Sequence, residues 1–142
     1  MRSRKPKVNV FNRQRKYFVE MGELRIFLDQ LSCQMTPQTG FSVVLVSDAA
    51  MRNYNREFRG KNGSADVLSF PNQEDDGDEE PYLGDILICV EVAARQEKDG
   101  LLQELQVLSL HGLLHLLGYD HDADQGAMET LERKLRREFQ LH

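Results

Sequence analysis

Three of the four histidines of the chain fall within eleven residues that read HGLLHLLGYDH, at His111, His115 and His121. If this segment is helical, His111 and His115 lie about 40° apart on one face, one turn above the other. Gly118 can adopt the left-handed conformation that ends a helix, which would turn the chain back and carry His121 toward the same point. The spacing therefore predicts that three imidazoles bind one metal ion and leave a coordination position open, as in catalytic zinc sites.

The same spacing matches the zinc-protease pattern H-E-x-x-H-x-x-G-x-x-H at every defined position except one. Gly112 stands where that pattern has the glutamate that acts as general base, and glycine can neither take nor give a proton. Peptide hydrolysis would need a base from elsewhere in the chain. A zinc metalloprotease that lacks the usual glutamate is therefore kept as an alternative function.

The composition is typical of one soluble globular domain. The chain has 142 residues, of which 40% are hydrophobic and 29% charged, enough to bury one core. No apolar run is long enough to cross a membrane, and no apolar segment follows the basic N-terminus as it would in a secretory signal. We expect a single domain over residues 1–142, a cytoplasmic location and no membrane partner. Cys33 and Cys89 are predicted to be reduced, buried thiols.

The net charge of −5 argues at first against a nucleic-acid partner, but the charges are unevenly spread. Six acidic residues lie between Glu74 and Glu80, whereas residues 1–16 contain seven Lys or Arg and no acid. A second basic stretch contains Arg52, Arg56, Arg59 and Lys61. Local patches govern binding to phosphate, although on charge alone both basic stretches are solvated faces. Residues 74–80 are expected to form an exposed loop that tolerates shortening.

The hydrophobic periodicity predicts a small layered α+β domain, with about four strands in a mixed sheet packed with about five helices. Strands are expected at residues 7–11, 41–46, 67–70 and 83–90. Helices are expected at 15–35, after a Ser47 cap, at 91–98, at 101–117, and after a capping box formed by Asp122 and Gln125. The helix at 101–117 is apolar nearly all round, which predicts that His111 and His115 lie inside the core.

Two further segments precede the histidine motif, NREFRGKNGSADVLSFP from Asn55 to Pro71 and LGDI from Leu83 to Ile86. Together with HGLLHLLGYDH, they resemble the YbeY family of bacterial single-strand endoribonucleases. The resemblance covers essentially the whole chain in order and spacing. The acidic run at residues 74–80 departs from the family pattern as a loop insertion, and it leaves the motif positions intact.

The resemblance implies a zinc-dependent endoribonuclease of the cytoplasm with one Zn(2+) ion per chain. The expected substrate is single-stranded RNA, in maturation of the 3′ end of the 16S ribosomal RNA of the small subunit and in ribosome quality control, with ribosome-associated proteins as further partners. The implied site consists of the metal ligands His111, His115 and His121 and of Arg59. A non-catalytic ribosome assembly factor with a structural metal is a second alternative.

RNA chemistry is compatible with the glycine at position 112. RNA carries an internal nucleophile in its 2′-OH, or a metal-bound hydroxide can attack the phosphorus. In both routes the ion can neutralise charge on a phosphoryl oxygen, so a fixed glutamate beside the metal is less necessary than in a protease. The guanidinium of Arg59 suits two-point contact with phosphate oxygens. Asp85, in an apolar strand, and Asp120, next to a predicted ligand, are candidates for a general base or for support of a ligand, and the sequence does not rank them.

Overall fold

The computed structural model describes residues 8–72, 81–120 and 125–141. In chain order its elements are β1 (Val8–Asn12), α1 (Met21–Met35), β2 (Gly40–Val46), α2 (Asp48–Arg59), β3 (Val67–Pro71), β4 (Tyr82–Cys89), α3 (Val90–Gln96), α4 (Leu101–Leu116) and α5 (Ala127–Glu138). The predicted α+β architecture is confirmed. The acidic run at 74–80 and Asp122 lie outside the described residues. The predicted capping box is wrong, because α5 begins after Gly126 with no side-chain cap, and Gln125 has a left-handed φ of 57° instead of a place in the first helical turn. None of the helices described is long and apolar enough to cross a membrane.

The four strands form one mixed sheet in the order β1-β2-β4-β3, in which β3 is the antiparallel edge strand. Successive side chains of a strand point to opposite faces of a sheet. One face carries Val43 and Ile86 and belongs to the main core, which also contains side chains of α1, α4 and α5. The other face carries Leu87, which packs with Met51 of α2. Helices α2 and α4 therefore lie on opposite faces of the sheet.

Helix α1 begins at Met21, six residues later than the apolar spacing predicts. The side chain of Gln14 holds the preceding segment in a loop, since its Nε2 donates to the Tyr17 carbonyl at 2.8 Å and its Oε1 accepts from the Tyr17 N–H at 2.9 Å. Such local side-chain bonds compete with helix formation. Tyr17 still packs against the core. For this reason it continues the apolar spacing of α1, although it lies in the loop before the helix.

Helix α2 begins as predicted, because the Ser47 side chain accepts a hydrogen bond from the Ala50 N–H at 3.2 Å and satisfies one of the open donors of the first turn. In that turn, a hydrogen bond from Arg52 lowers the pKa of the Asp48 carboxyl. The helix ends at Gly60, which has a left-handed φ of 64°. The last turn of α2 contains Arg56, Phe58 and Arg59. Phe58 contacts Phe70 of β3, so this end of the helix lies beside the sheet.

The two cysteines differ in their surroundings. Cys89 is buried as predicted, but Cys33 is exposed. The core-facing side of α1 contains Leu28 and Leu31, and Cys33 is two residues from Leu31, which places it about 200° around the helix on the outer side. The prediction of two buried thiols is therefore wrong for Cys33.

Helix α4 crosses the sheet at Gly112 with no room for a side chain. A Cβ atom at this position would stand 2.6 Å from Cγ2 of Ile86 and 3.2 Å from Oγ of Ser69. The Ser69 hydroxyl also donates a hydrogen bond of 2.9 Å to the Gly112 carbonyl. Glycine is thus required by the packing of α4 on β3 and β4. A glutamate, as in the protease pattern, would not fit at this helix position.

Replacing Gly112 with alanine should lower the free energy of unfolding by about 1–3 kcal/mol, because the added methyl group overpacks the contact with Ile86. Gly22→Ala is the matched control, since a Cβ at this helical glycine meets nothing within 4 Å and alanine is the better helix former. That variant should keep or slightly gain stability. Urea titrations measure both, and equal stability of Gly112→Ala and wild type would contradict the close packing.

Candidate metal centre and adjoining cleft

Helix α4 brings His111 and His115 together near its C-terminus. Their Nε2 atoms are 3.1 Å apart, and the two rings meet edge to face with centroids 4.7 Å apart. Both residues are only partly buried, and the His111 side chain is 27% exposed. The prediction that they lie inside the core is therefore wrong, because they occupy the flank of α4 rather than the side that Gly112 presses against the sheet.

A carboxylate from another helix orients His111. Oε1 of Glu132, on α5, lies 2.7 Å from Nδ1 of His111. A ring whose Nδ1–H donates to a carboxylate keeps the lone pair on Nε2, which is the arrangement found behind metal-bound histidines. Sequence reasoning missed Glu132. One sequence signal could have found it. Glu132 directly follows Leu131, a residue of the apolar stripe of the last helix, so an acid at this position lies near the core.

The geometry of the pair fits a metal ion. Two nitrogens about 2.0–2.1 Å from one tetrahedral zinc ion stand about 3.3 Å apart, close to the 3.1 Å between the Nε2 atoms of His111 and His115. His121 lies outside the described residues. In the ranges 8–72, 81–120 and 125–141, no group of three or more His, Cys, Asp or Glu could hold a metal ion. Two predicted ligands are thus brought together, and the complete set stays a prediction.

The chain turns back directly after the histidine pair, as predicted from Gly118. The Tyr119 N–H bonds to the Leu114 carbonyl at 3.1 Å, and the Gly118 N–H bonds to the His115 carbonyl at 3.0 Å. With a φ of 97° at Gly118, this is a Schellman motif. Tyr119 packs against the core, and the exposed Asp120 ends the described range before His121.

A β-bulge separates Asp85 from the histidines. Gly40 of β2 pairs with Tyr82, but Ser42 pairs with Asp85, so β4 contains one extra residue. The bulge turns Tyr82 and Asp85 toward the same face. The Tyr82 hydroxyl donates to Asp85 and lies 2.7 Å from Oγ of Ser42. This face is opposite the one that α4 covers, so the structure does not bring Asp85 to the histidine pair.

The bulge depends on Gly84, which adopts a φ of 142° that disfavours other residues. A Cβ at Gly84 would collide with the carbonyl oxygen of Phe70 on the neighbouring strand. Burial, together with the hydrogen bond to Asp85, raises the pKa of Tyr82 to about 12, although the hydrogen bond to Ser42 opposes this change. Tyr82 therefore remains a protonated donor to Asp85 at neutral pH.

Above this network lies a cleft with a volume of about 420 Å³. Its lining combines aromatic rings with one cation and one carboxylate, from Phe11, Arg13, Tyr54, Phe58, Phe70 and Asp85. Phe58 is 60% exposed and Phe11 is 44% exposed. Tyr54, Phe58 and Phe70 form an aromatic cluster in which the Phe58 and Phe70 centroids are 5.3 Å apart. The cleft therefore offers flat apolar surfaces beside charged groups.

Arg59 is the last residue of α2 and follows Phe58 directly. Its side chain is exposed and forms no ion pair with another residue of the described ranges. Because α2 and α4 lie on opposite sheet faces, the structure does not bring Arg59 into one cluster with the histidines. Arg59 does not line the cleft either, although its neighbour Phe58 does.

Known proteins of one family match this chain over most of its length. The family model described as Endoribonuclease YbeY matches residues 8–140. This chain belongs to the YbeY family. The Endoribonuclease YbeY of Solibacter usitatus is 37% identical over 118 residues, which cover 81% of this chain and 76% of that protein. The Endoribonuclease YbeY of a Picosynechococcus species is 39% identical over 131 residues, with coverages of 83% and 80%.

The fold has a counterpart among solved structures. The solution structure of TM1509 from Thermotoga maritima superposes with a TM-score of 0.60 at 29% identity, covering 90% of this chain and 85% of that protein. The resemblance inferred from the three sequence motifs is therefore confirmed. This chain and TM1509 therefore share a fold.

The raised pKa of Tyr82 predicts a loss of stability in alkaline solution. Its folded value of about 12 exceeds the ordinary 10.0, so above about pH 10 the unfolded chain releases this proton first and stability falls as the pH rises toward 12. Tyr82→Phe should lack this part of the alkaline loss. Urea titrations at increasing pH, with phenolate absorbance as a second readout, test this. Parallel stability curves for both proteins would contradict it.

Proposed function

We propose that this protein is a metal-dependent endoribonuclease specific for single-stranded RNA. The observation that supports this proposal most strongly is membership of the YbeY family. Curated relatives that match most of this chain are named endoribonucleases. The convergent imidazoles of His111 and His115 support metal dependence. The finer proposal includes processing of the 16S rRNA 3′ end, ribosome quality control, a cytoplasmic location and ribosome-associated partners.

The proposed ligands are His111, His115 and His121, holding one zinc ion per chain. The Nε2 atoms of His111 and His115 are 3.1 Å apart, and the Glu132 carboxylate, 2.7 Å from Nδ1 of His111, would hold that ring in place. When bound, the ion would supply positive charge to a phosphoryl oxygen of the substrate. The Schellman turn at Gly118 reverses the chain before residue 121. This reversal supports the inclusion of His121 among the proposed ligands.

The remaining groups have separate roles. Arg59 would bind an RNA phosphate through its planar guanidinium. The 2′-OH of RNA would attack the adjacent phosphorus and displace the 5′ oxygen of the next nucleotide, which would take a proton from solvent. Asp120, exposed beyond the turn, is the better candidate to accept the proton of the 2′-OH. Asp85 is less suited, because it bonds to Tyr82 on the opposite sheet face. A protease mechanism is disfavoured, since the packing at Gly112 excludes the glutamate base from that position.

Metal binding can be tested on the ligands and on the carboxylate behind them. His111→Ala, His115→Ala and His121→Ala should each sharply lower zinc content, and Glu132→Gln should weaken zinc affinity about 10–100-fold because His111 loses its orienting partner. Glu129→Gln is the control, since Glu129 pairs with Arg133 on the exposed side of α5. Competition with a chromogenic chelator measures affinity. Unchanged zinc stoichiometry in all three histidine variants would refute the site.

The nuclease activity is tested with labelled single-stranded RNA, duplex RNA and casein. Metal-replete protein should cleave only the single-stranded RNA, and chelation should stop cleavage. Arg59→Ala should keep fold and zinc but lose about tenfold in cleavage of single-stranded RNA, through loss of a charge-assisted hydrogen bond to phosphate, with partial rescue in Arg59→Lys. Arg56→Ala is the control, because Arg56 is exposed one turn earlier and bonds to Asn53.

Three results would redirect this proposal. Wild-type cleavage by Arg59→Ala would reduce Arg59 to a surface cation. Cleavage of casein but not of RNA would favour the metalloprotease. A protein that binds zinc and RNA without cleaving either substrate would favour an assembly factor with a structural metal.

A further inference from the structure

The cleft beside Asp85 has the features of a ligand site. Its volume of about 420 Å³ lies within the range of about 300–1,000 Å³ that small-molecule sites occupy. Of the four large hydrophobic residues that are exposed in the described chain, two line this cleft, Phe11 and Phe58. Exposed apolar side chains gathered around one concave surface mark a site of contact.

The cleft is not a plain hydrocarbon groove. The guanidinium of Arg13 lies 5.7 Å from the centre of the Phe11 ring. Asp85 also lines the cleft, with one carboxylate oxygen engaged by the Tyr82 hydroxyl. A carboxylate offers about four acceptor positions, so Asp85 retains acceptor capacity toward a ligand. A purely apolar occupant would desolvate this carboxylate without offering a donor.

We propose that this cleft binds one unpaired nucleobase of a single-stranded RNA. The base stacks on Phe58 and Phe11, an N–H group on its edge donates to Asp85, and Arg13 contacts the adjoining phosphate. The assignment rests on the proposed function, since it takes RNA to be the substrate. Aromatic rings combined with cations are the usual means of holding unstacked bases.

The position of the cleft bears on two parts of the proposed function, single-strand selectivity and the phosphate contact of Arg59. A base within a duplex has both faces and its pairing edge occupied, so only an unpaired base could use Phe58 and Asp85 together. The cleft would therefore contribute to single-strand selectivity. Arg59 directly follows Phe58, so the backbone of an RNA whose base stacks on Phe58 would pass near Arg59. The proposed contact of Arg59 with an RNA phosphate would then lie on the sheet face opposite the histidines.

Binding is measured with metal-replete protein and a fluorescent 2′-O-methyl oligonucleotide that remains intact during the measurement. Phe58→Ala should weaken binding about tenfold, as loss of one stacked base predicts. Phe58→Trp should restore affinity, whereas Phe58→Leu, which keeps apolar bulk without a π face, should not. Phe18→Ala is the control, because Phe18 is 86% exposed but lies outside the cleft. Asp85→Asn should also weaken binding, about tenfold, through loss of the charged acceptor.

A second measurement identifies the base. A single abasic nucleotide is moved along the oligonucleotide, and one position should weaken wild-type binding while having little further effect on Phe58→Ala. If Phe58→Ala binds the oligonucleotide with wild-type affinity, the base subsite is overturned. This result is expected if the cleft instead holds a segment of a protein partner. If such a variant also cleaves RNA normally, the nuclease proposal stands alone. A wild-type protein that neither binds nor cleaves RNA would overturn both proposals.

Discussion

The structure depends on the contact between α4 and the sheet at Gly112. Because no side chain separates them, the helix backbone lies against Ile86, and the Ser69 hydroxyl holds the Gly112 carbonyl at 2.9 Å. This contact fixes the rotation of α4 about its axis. The leucines on either side of Gly112 enter the core, and the flank with His111 and His115 is left partly accessible. A larger residue at 112 would move both imidazoles together with the helix.

The two sheet faces carry different chemistry. The α4 face holds the convergent imidazoles, whereas the α2 face holds the aromatic cleft and the bonded group of Tyr82, Asp85 and Ser42. The bulge in β4 maintains this division, because it turns Asp85 away from α4 without interrupting the pairing of the strand. An RNA that used both faces would have to pass around the molecule, which favours a flexible single strand over a rigid duplex.

Much of the fold and part of the site follow from local sequence patterns. Helical spacing predicts the convergence of His111 and His115, and Gly118 predicts the turn after them, because both properties involve residues within two helical turns. The start of α1 was predicted wrongly, since Gln14 forms loop hydrogen bonds that compete with the helix. Local bonds of this kind are difficult to anticipate from hydrophobic spacing alone.

The parts of the site that escape prediction depend on tertiary contacts. Glu132 acts on a residue of a different helix, and nothing in the period of either helix specifies their relative position. The face occupied by Asp85 depends on one extra residue in β4, and a shift by one reverses the face of every following side chain. The cleft is formed by residues from five elements and has no linear signature.

The bond between His111 and Glu132 has a consequence for biosynthesis. Glu132 follows both histidines in the chain, so the imidazoles emerge from the ribosome before the carboxylate that orients one of them. The C-terminal end of α5 contacts α1, because Phe139 packs edge to face on Phe27 with ring centroids 5.2 Å apart, and Glu138 bonds to Gln34. A nascent chain that has not yet formed α5 would therefore carry His111 without the carboxylate that orients it.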